Sequence, residues 1–298
     1  MIGKVYKSTG NLYSVHTDSD EVYKCHIKGK FRSLEIKSTN PIAVGDTVHF
    51  DILDIKEHSG IIYKIENRKN YIIRKSVNLS KHSHIIASNI DCCFLFVTPC
   101  NPVTSSIFID RILVATKSFG IETVILFNKI DLYSKNEMGH IDQLRNIYQT
   151  IGYKCLDISV KKQINIDQVK EMMKNRISIF TGHSGVGKSS LVNLLDPNLK
   201  LKTAKVSEQN EQGQHTTTFA EMFDLNFGAK IIDSPGIKGF GLIDIEKNEI
   251  GNYFTEFQLF KNDCKFNNCL HENEPNCAVK LAVSIGEISE LRLSLIHI

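Results

Sequence analysis

Two short stretches of this 298-residue chain hold residue types that do nucleotide chemistry. Gly182-His183-Ser184-Gly185-Val186-Gly187-Lys188-Ser189 has the G-x-x-x-x-G-K-S spacing of a phosphate-binding loop. Asn128-Lys129-Ile130-Asp131 has the N-K-x-D pattern with which nucleotide switches read guanine. Phosphate carries dense negative charge and needs many donors. Gly182, Gly185 and Gly187 let the backbone curl until successive N–H groups point inward, and a helix opening at Lys188 adds the positive end of its dipole. Lys188 would reach the β- and γ-phosphates, and the Ser189 hydroxyl would ligate Mg²⁺.

The tetrad supplies the base chemistry. The Asp131 carboxylate can accept two hydrogen bonds from the N1–H and N2–H₂ edge of guanine. Adenine presents an acceptor there and would leave a buried carboxylate unpaired, at a cost of roughly 1–3 kcal/mol or more. Asn128 can meet the base N7, the Lys129 stem can pack on the ring, and Ile130 fills the variable position. Ser159, at the next strand end, can add a backbone contact to the guanine oxygen.

Two further segments complete the set. Asp233-Ser234-Pro235-Gly236 follows an apolar run, so Asp233 suits the carboxylate on the Mg²⁺ side and the Gly236 N–H can meet the γ-phosphate. Gln214-His215-Thr216-Thr217-Thr218 lies between the phosphate loop and Asp233. A threonine there can complete Mg²⁺ coordination and order a loop only while the γ-phosphate is present; Thr217 is favoured, with the other two open. The position after D-x-x-G, where a glutamine often orients the attacking water, is Ile237, which has no donor or acceptor. Intrinsic hydrolysis is therefore expected to be slow, with His215 or a partner positioning the water.

The motifs run base reader, Ser159, phosphate loop, threonine loop, D-x-x-G. That order is a circular permutation of the usual one, which compact domains tolerate because their chain ends are often close and at the surface. It also makes Asp233–Gly236 lead straight into the C-terminal segment, so loss of phosphate is expected to move a whole domain.

The elements that must hold these residues can be read from periodicity. Residues 1 to 69 contain five short β-rich runs, Gly3–Lys7, Leu12–Thr17, Val22–Ile27, Thr47–Leu53 and Ile61–Glu66, which predict a small barrel of OB type. From residue 70 to 241 strands and helices alternate. The strands are Cys92–Thr98, Val124–Phe127, Lys154–Ile158, Ile177–Thr181, and a pair over 218–225 and 230–233. The helices are Ile107–Phe119, His140–Ile151, Ile166–Asn175 and Lys188–Leu195. This rhythm predicts a doubly wound α/β sheet. Residues 242 to 298 read as helical, with one stretch near Glu246–Phe257 and a last helix from Ala278 to Leu293. Leu295-Ile296-His297-Ile298 is apolar and uncapped.

Within that last segment three cysteines and a histidine fall as Cys264-x₄-Cys269-x-His271-x₅-Cys277. Zn²⁺ favours four tetrahedral N/S ligands, and a full Cys₃His set leaves no open position, so the site is expected to be structural. So small a segment would draw much of its folding free energy from the metal. Cys92 and Cys93 lie in an apolar run and read as core.

Composition is that of an ordinary globular protein, 42% hydrophobic and 23% charged. No apolar run reaches the roughly 18 residues needed to span a bilayer, and the first residues lack a signal-peptide core, so a cytoplasmic location is expected. Eight cysteines in a reduced compartment favour metal ligands or buried thiols over disulfides. The net charge of +3 is too small to argue for nucleic acid. Locally, residues 1–37 hold seven Lys/Arg (Lys4, Lys7, Lys24, Lys28, Lys30, Arg32, Lys37) against four acids, with Tyr6, Tyr13, Tyr23 and Phe31 interleaved. Cations beside aromatic rings can serve RNA on an OB face, or be a solvated surface over core aromatics.

Taken in this order, the motifs resemble the RsgA family of circularly permuted GTPases that depend on the small ribosomal subunit. The resemblance rests on Gly185-Val186-Gly187-Lys188-Ser189-Ser190, His215-Thr216-Thr217-Thr218 and the Cys/His cluster, and it spans nearly the whole chain. It implies an OB domain over 1–69, a permuted GTPase domain over 70–241 and a zinc domain over 242–298. It also implies GTP hydrolysis stimulated by the 30S subunit late in its maturation, contact with 16S rRNA, and action as a monomer. Two positions depart from the pattern: Gln214 stands where Arg usually precedes the histidine, and Asn276 where Gly is common before the last cysteine. Two other readings stay open on the residues alone: an RNA-binding module gated by nucleotide, and a metal-delivery GTPase. The closed Cys₃His set speaks against the latter, since cargo needs an exchangeable position.

Overall fold

The alternation along the first five strands sends every second side chain inward. Tyr13 and Val15, Tyr23 and Cys25, and Val48 and Phe50 meet Val5 and Ile62 in one buried cluster. The strands are β1 (Ile2–Ser8), β2 (Tyr13–His16), β3 (Val22–Ile27), β4 (Thr47–Asp54) and β5 (Ser59–Ile65). β1 pairs with both β2 and β4, β2 with β3, β3 with β5 in parallel, and β5 with β4, so the barrel closes. The computed structural model describes residues 1–28, 41–75, 83–199, 220–233, 245 and 247–295. Gln214, His215, Thr216, Thr217, Thr218, Gly236 and Ile237 therefore lie outside the described residues, as do Lys30, Phe31, Arg32 and Lys37.

Three of the four aromatic residues interleaved with those cations lie among the described residues, and all three are buried. Tyr13 and Tyr23 are buried in the barrel core, and Tyr6 is buried against His16, ring centroids 3.7 Å apart. None of the three is free to stack on a base. They are core aromatics, whereas among the cations Lys24 and Lys28 are exposed and Lys7 pairs with Glu221.

Among the described residues the barrel is joined to the rest of the chain at two places. A register shift between Val5 and Lys7 marks a bulge in β1, and Lys7, still paired with Ser14 of β2, also pairs with Glu221 of β12 (Glu221–Asp224). Val5 thus sits in the barrel core while Tyr6, the next residue, enters the core of the second unit. The Tyr6 hydroxyl donates to Asp224 (2.9 Å) and accepts from Lys230 (2.6 Å). At the second junction Asp46, fully buried, accepts from Arg68, from the Ser88 hydroxyl (2.6 Å) and from the Ala43 N–H (2.8 Å).

A hairpin of β6 (Tyr71–Lys75) and β7 (Ser83–Ser88) follows, which periodicity does not predict. Beyond it lie β8 (Cys92–Val97), α1 (Ser106–Ser118), β9 (Glu122–Asn128), α2 (Lys135–Thr150), β10 (Lys154–Ile158), α3 (Ile166–Met173), β11 (Ile177–Thr181), α4 (Lys188–Leu195) and β13 (Lys230–Asp233). The sheet runs β10-β9-β8-β11-β13-β12, parallel except for β12. β8 is buried on both faces. Cys93, Leu95 and Val97 join the cluster that includes residues of α1 and α2, and Cys92, Phe94 and Phe96 join the one that includes α3 and α4. Burial pushes the Cys92 thiol up to about 12, as expected of an inert core thiol. Consecutive strands run outward from β8 to β10, then the chain crosses back to β11. The carboxyl ends of β8 and β11 therefore flank a switch point, where open α/β sheets bind ligands.

The C-terminal segment is more broken than its periodicity suggests. A 3₁₀ turn covers Lys247–Tyr253, and α5 is only Phe257–Phe260. The expected helix from Ala278 to Leu293 is two, α6 (Ala278–Ser284) and α7 (Glu290–Leu295). Gly286, at φ +84°, donates its N–H back to Val283 and ends α6. Phe254, Phe257, Cys264, Cys277, Val279, Ala282 and Ile288 form its core, together with Val114 of α1.

Candidate active site and metal centre

The parallel strands bring the motifs to one edge of the sheet. Asn128 ends β9, Ile158 ends β10 just before Ser159, Thr181 ends β11 just before the phosphate loop, and Asp233 ends β13. In the loop Gly182, Gly185 and Gly187 all hold positive φ (138°, 80° and 107°). Gly187 also cannot carry a side chain, because a Cβ there would lie 2.3 Å from Nδ2 of Asn128. As N-cap of α4 it supplies no capping side chain, which leaves the first N–H groups of the helix for an anion. Lys188 Nζ lies at the centre of the curl, donating to the carbonyls of Gly182 (2.7 Å) and His183 (2.6 Å). Ser184 and Ser190 are exposed, Ser189 is half-buried, and Val186 is buried in the sheet core.

Asn128 links the two motifs. Its side chain is buried, donates to the Val186 carbonyl (2.7 Å) and accepts from the Val160 N–H (3.2 Å). One carboxamide therefore holds the base reader, the phosphate loop and the segment after β10 in register, a role the sequence did not suggest for it. Lys129 adopts the left-handed conformation (φ +70°) and donates to the Asn101 carbonyl; burial lowers its pKa.

Asp131 is the residue expected to read the base. The Ser159 hydroxyl donates to Asp131 Oδ1 (2.5 Å), and Asp131 Oδ2 is buried with no donor among the described residues. A buried carboxylate oxygen without a partner costs a few kcal/mol. The N–H edge of guanine offers the donors this oxygen needs, so the residues fit the base. The Ser159 N–H donates to the Ile164 carbonyl (3.2 Å), and its hydroxyl orients Asp131. Tyr133, whose hydroxyl donates to the Asn128 carbonyl, and Asn101 belong to this arrangement too. Neither has a spacing signal that would have exposed it.

The metal centre is compact. The ligand atoms of Cys264, Cys269, His271 and Cys277 all lie within 4.8 Å of one another. Cys264 Sγ is 3.7 Å from His271 Nδ1 and 4.0 Å from Cys277 Sγ, and Nδ1 is 3.2 Å from Cys277 Sγ. Ligands about 2.0–2.3 Å from a tetrahedral Zn²⁺ have edges of about this length, and the sulfurs are too far apart for a disulfide. His271 and Asn276 both take positive φ (61° and 59°). Asparagine tolerates that conformation better than most residues, which accounts for Asn276 at a position where glycine is common.

Comparison with known proteins places the whole chain in a family. The family model described as RsgA GTPase matches residues 65–243, and the RsgA N-terminal domain matches residues 2–62. The small ribosomal subunit biogenesis GTPase RsgA of Flavobacterium psychrophilum is 56% identical, with 98% of this chain and 90% of that protein covered. Its counterpart in Christiangramia forsetii is 55% identical over 97% and 92%. Among solved structures, YjeQ from Thermotoga maritima superposes with a TM-score of 0.83 at 34% identity, covering 99% and 95% of the two chains. YloQ, a circularly permuted GTPase, gives 0.77 at 29% identity over 99% and 92%. The match to the RsgA GTPase model over residues 65–243, with 55–56% identity to RsgA proteins over nearly the full chain, makes this chain a GTPase and a member of the RsgA family.

Proposed function

We propose that this GTPase binds the small (30S) ribosomal subunit when loaded with GTP, acts late in 30S maturation, and leaves after hydrolysis. The observation that carries the reading is the full-length match, at 55–56% identity, to proteins named for small ribosomal subunit biogenesis. In this reading the phosphate loop, Asn128–Asp131 and Asp233 hold GTP or GDP with Mg²⁺. Ser189 and Asp233 sit on the metal, and Thr217 and His215 serve the γ-phosphate side. Cys264, Cys269, His271 and Cys277 hold one structural Zn²⁺. The units divide at residues 69 and 241, the barrel meets 16S rRNA through cations such as Lys24 and Lys28, and the protein works as a cytoplasmic monomer.

With Ile237 where a water-orienting side chain is often found, the subunit supplies what the chain lacks. GTP turnover by purified protein is compared with turnover in the presence of 30S subunits, 50S subunits or neither. Stimulation by 30S alone is expected. Equal rates in all three would refute the reading, and binding to 30S without stimulation would leave a nucleotide-gated RNA-binding module.

A further inference from the structure

Helix α1 is gripped on three sides. Ile109, Ile112, Leu113 and Ala115 pack into the core against the sheet. Val114 lies in the cluster that contains the metal-site cysteines Cys264 and Cys277. Asp110, on the same side one turn earlier, pairs with Arg292 of α7, and Arg292 also donates to Glu256 (2.6 and 3.2 Å); all three side chains are buried. The third contact is at the first turn: the Phe108 ring lies on the imidazole of His183, centroids 4.1 Å apart and planes 31° from parallel. His183 is in the phosphate loop, and its carbonyl accepts from Lys188. Two residues of one helical turn, Phe108 and Asp110, thus touch the phosphate loop and the C-terminal unit.

We propose that Phe108 is a positioning residue: it sets the phosphate loop through His183 and couples nucleotide binding to the metal-bearing C-terminal unit through α1. Phe108 belongs to no nucleotide motif and needs no contact with the nucleotide. A helix wedged between a rigid sheet and a buried ion cluster has little freedom to follow the loop, so the stack fixes the loop to a frame that the C-terminal unit helps define. Coupling of this kind is reciprocal: if the frame holds the loop, a nucleotide that orders the loop also steadies the frame. The inference rests on the phosphate loop being the nucleotide site.

The test uses the full-length protein and GDP. Affinity is measured by calorimetry for wild type, Phe108→Ala, His183→Ala, the double variant and Phe108→Tyr, which keeps the ring. Each alanine variant is expected to weaken GDP binding about three- to tenfold, the effect of losing one aromatic pair, and the double variant no further; tyrosine restores the affinity. Amide exchange in α6, Ala278–Ser284, is then followed with and without saturating GDP. Slower exchange on binding is expected in wild type and Phe108→Tyr, and not in Phe108→Ala. Losses that multiply in the double variant, or α6 protection that is absent in wild type or equal in all variants, would overturn the proposal. Failure of wild type to bind GDP would instead indict the site itself. A Phe108→Ala protein with an unchanged melting point excludes a trivial loss of fold.

Discussion

The carboxamide of Asn128 lies 2.7 Å from the carbonyl of Val186, fifty-eight residues further along the chain. That bond makes one site of two stretches written in exchanged order. It runs from the tetrad to the phosphate loop through buried atoms, and the Gly187 backbone comes so close that only glycine fits beneath it. Replacing Asn128 with Ala is expected to weaken GTP and GDP alike by about tenfold, since one buried hydrogen bond is lost and Val186 is left unpaired. Asn128→Asp is expected to be worse, because it places a charged acceptor against a carbonyl. Titration calorimetry with both nucleotides checks this. Unchanged affinity in both variants would mean that the two motifs are held together by the strands alone.

Asp131 makes a prediction about base identity. Its Oδ1 is held by the Ser159 hydroxyl, and its buried Oδ2 awaits a donor. An amide in place of the carboxylate puts an N–H₂ where guanine also presents N–H₂, and the two repel. Xanthine carries a carbonyl there. Asp131→Asn is therefore expected to lose guanine nucleotides by about 1–3 kcal/mol or more and to gain xanthine nucleotides. Competition between GDP and XDP on the variant reads the exchange directly. If Asp131→Asn keeps its preference for guanine, the carboxylate does not read the base.

What the local sequence pattern encodes differs from element to element. The strands β3, β10 and β11 and the helix α4 span the residues expected of them: β3 alternates buried and exposed, β11 is a short run buried throughout, and α4 opens where the glycines of the phosphate loop end. The hairpin β6–β7 was invisible: Ile72, Ile86 and Ala87 serve the main core while Ile73 and Ile85 serve a smaller one, so neither strand shows a clean polar face. The motifs single out candidate residues, but not the contacts among them. That Asn128 would clamp the loop, or that Ser159 would act through its hydroxyl, depends on distances across the sheet edge that spacing along the chain does not encode. The tyrosines of the barrel show the converse limit. Their spacing among lysines suits an RNA face as well as it suits alternation into a core, and only closure of the barrel decides for the core.

The metal centre predicts a local failure. Cys264 and Cys277 are at once candidate ligands and members of the C-terminal core, and Cys277 Sγ accepts the Lys280 N–H (3.4 Å) at the start of α6. Removing the metal would leave three thiols and an imidazole crowded in a small core. Cys277→Ser is expected to lose stoichiometric zinc and the protection of α6 amides from exchange, while the exchange of the barrel strands β1–β5 stays as in wild type. Elemental analysis and amide exchange test it. Retention of zinc by the variant would show that Cys277 is not a ligand.

Asp110 gives a pH dependence whose sign is unusual. Burial raises its pKa from 3.8 to about 6, against the opposing pull of Arg292. A carboxyl whose pKa is higher in the fold than in the unfolded chain binds its proton more tightly when folded. Its contribution therefore favours the fold below about pH 4 and is lost as pH rises from about 4 to about 6. The loss is on the order of 2–3 kcal/mol at most. The side-chain amide of an Asp110→Asn variant does not titrate. The stability of that variant relative to wild type is therefore expected to improve between pH 4 and pH 7, even though it weakens the bond to Arg292. Denaturant melts of both proteins at pH 4.5 and pH 7 give the two differences. If Asp110→Asn instead falls further behind at pH 7, the attraction of Arg292 outweighs the cost of burying the charge, and the cluster that joins α1 to α7 is held by its ion pair and not in spite of its burial.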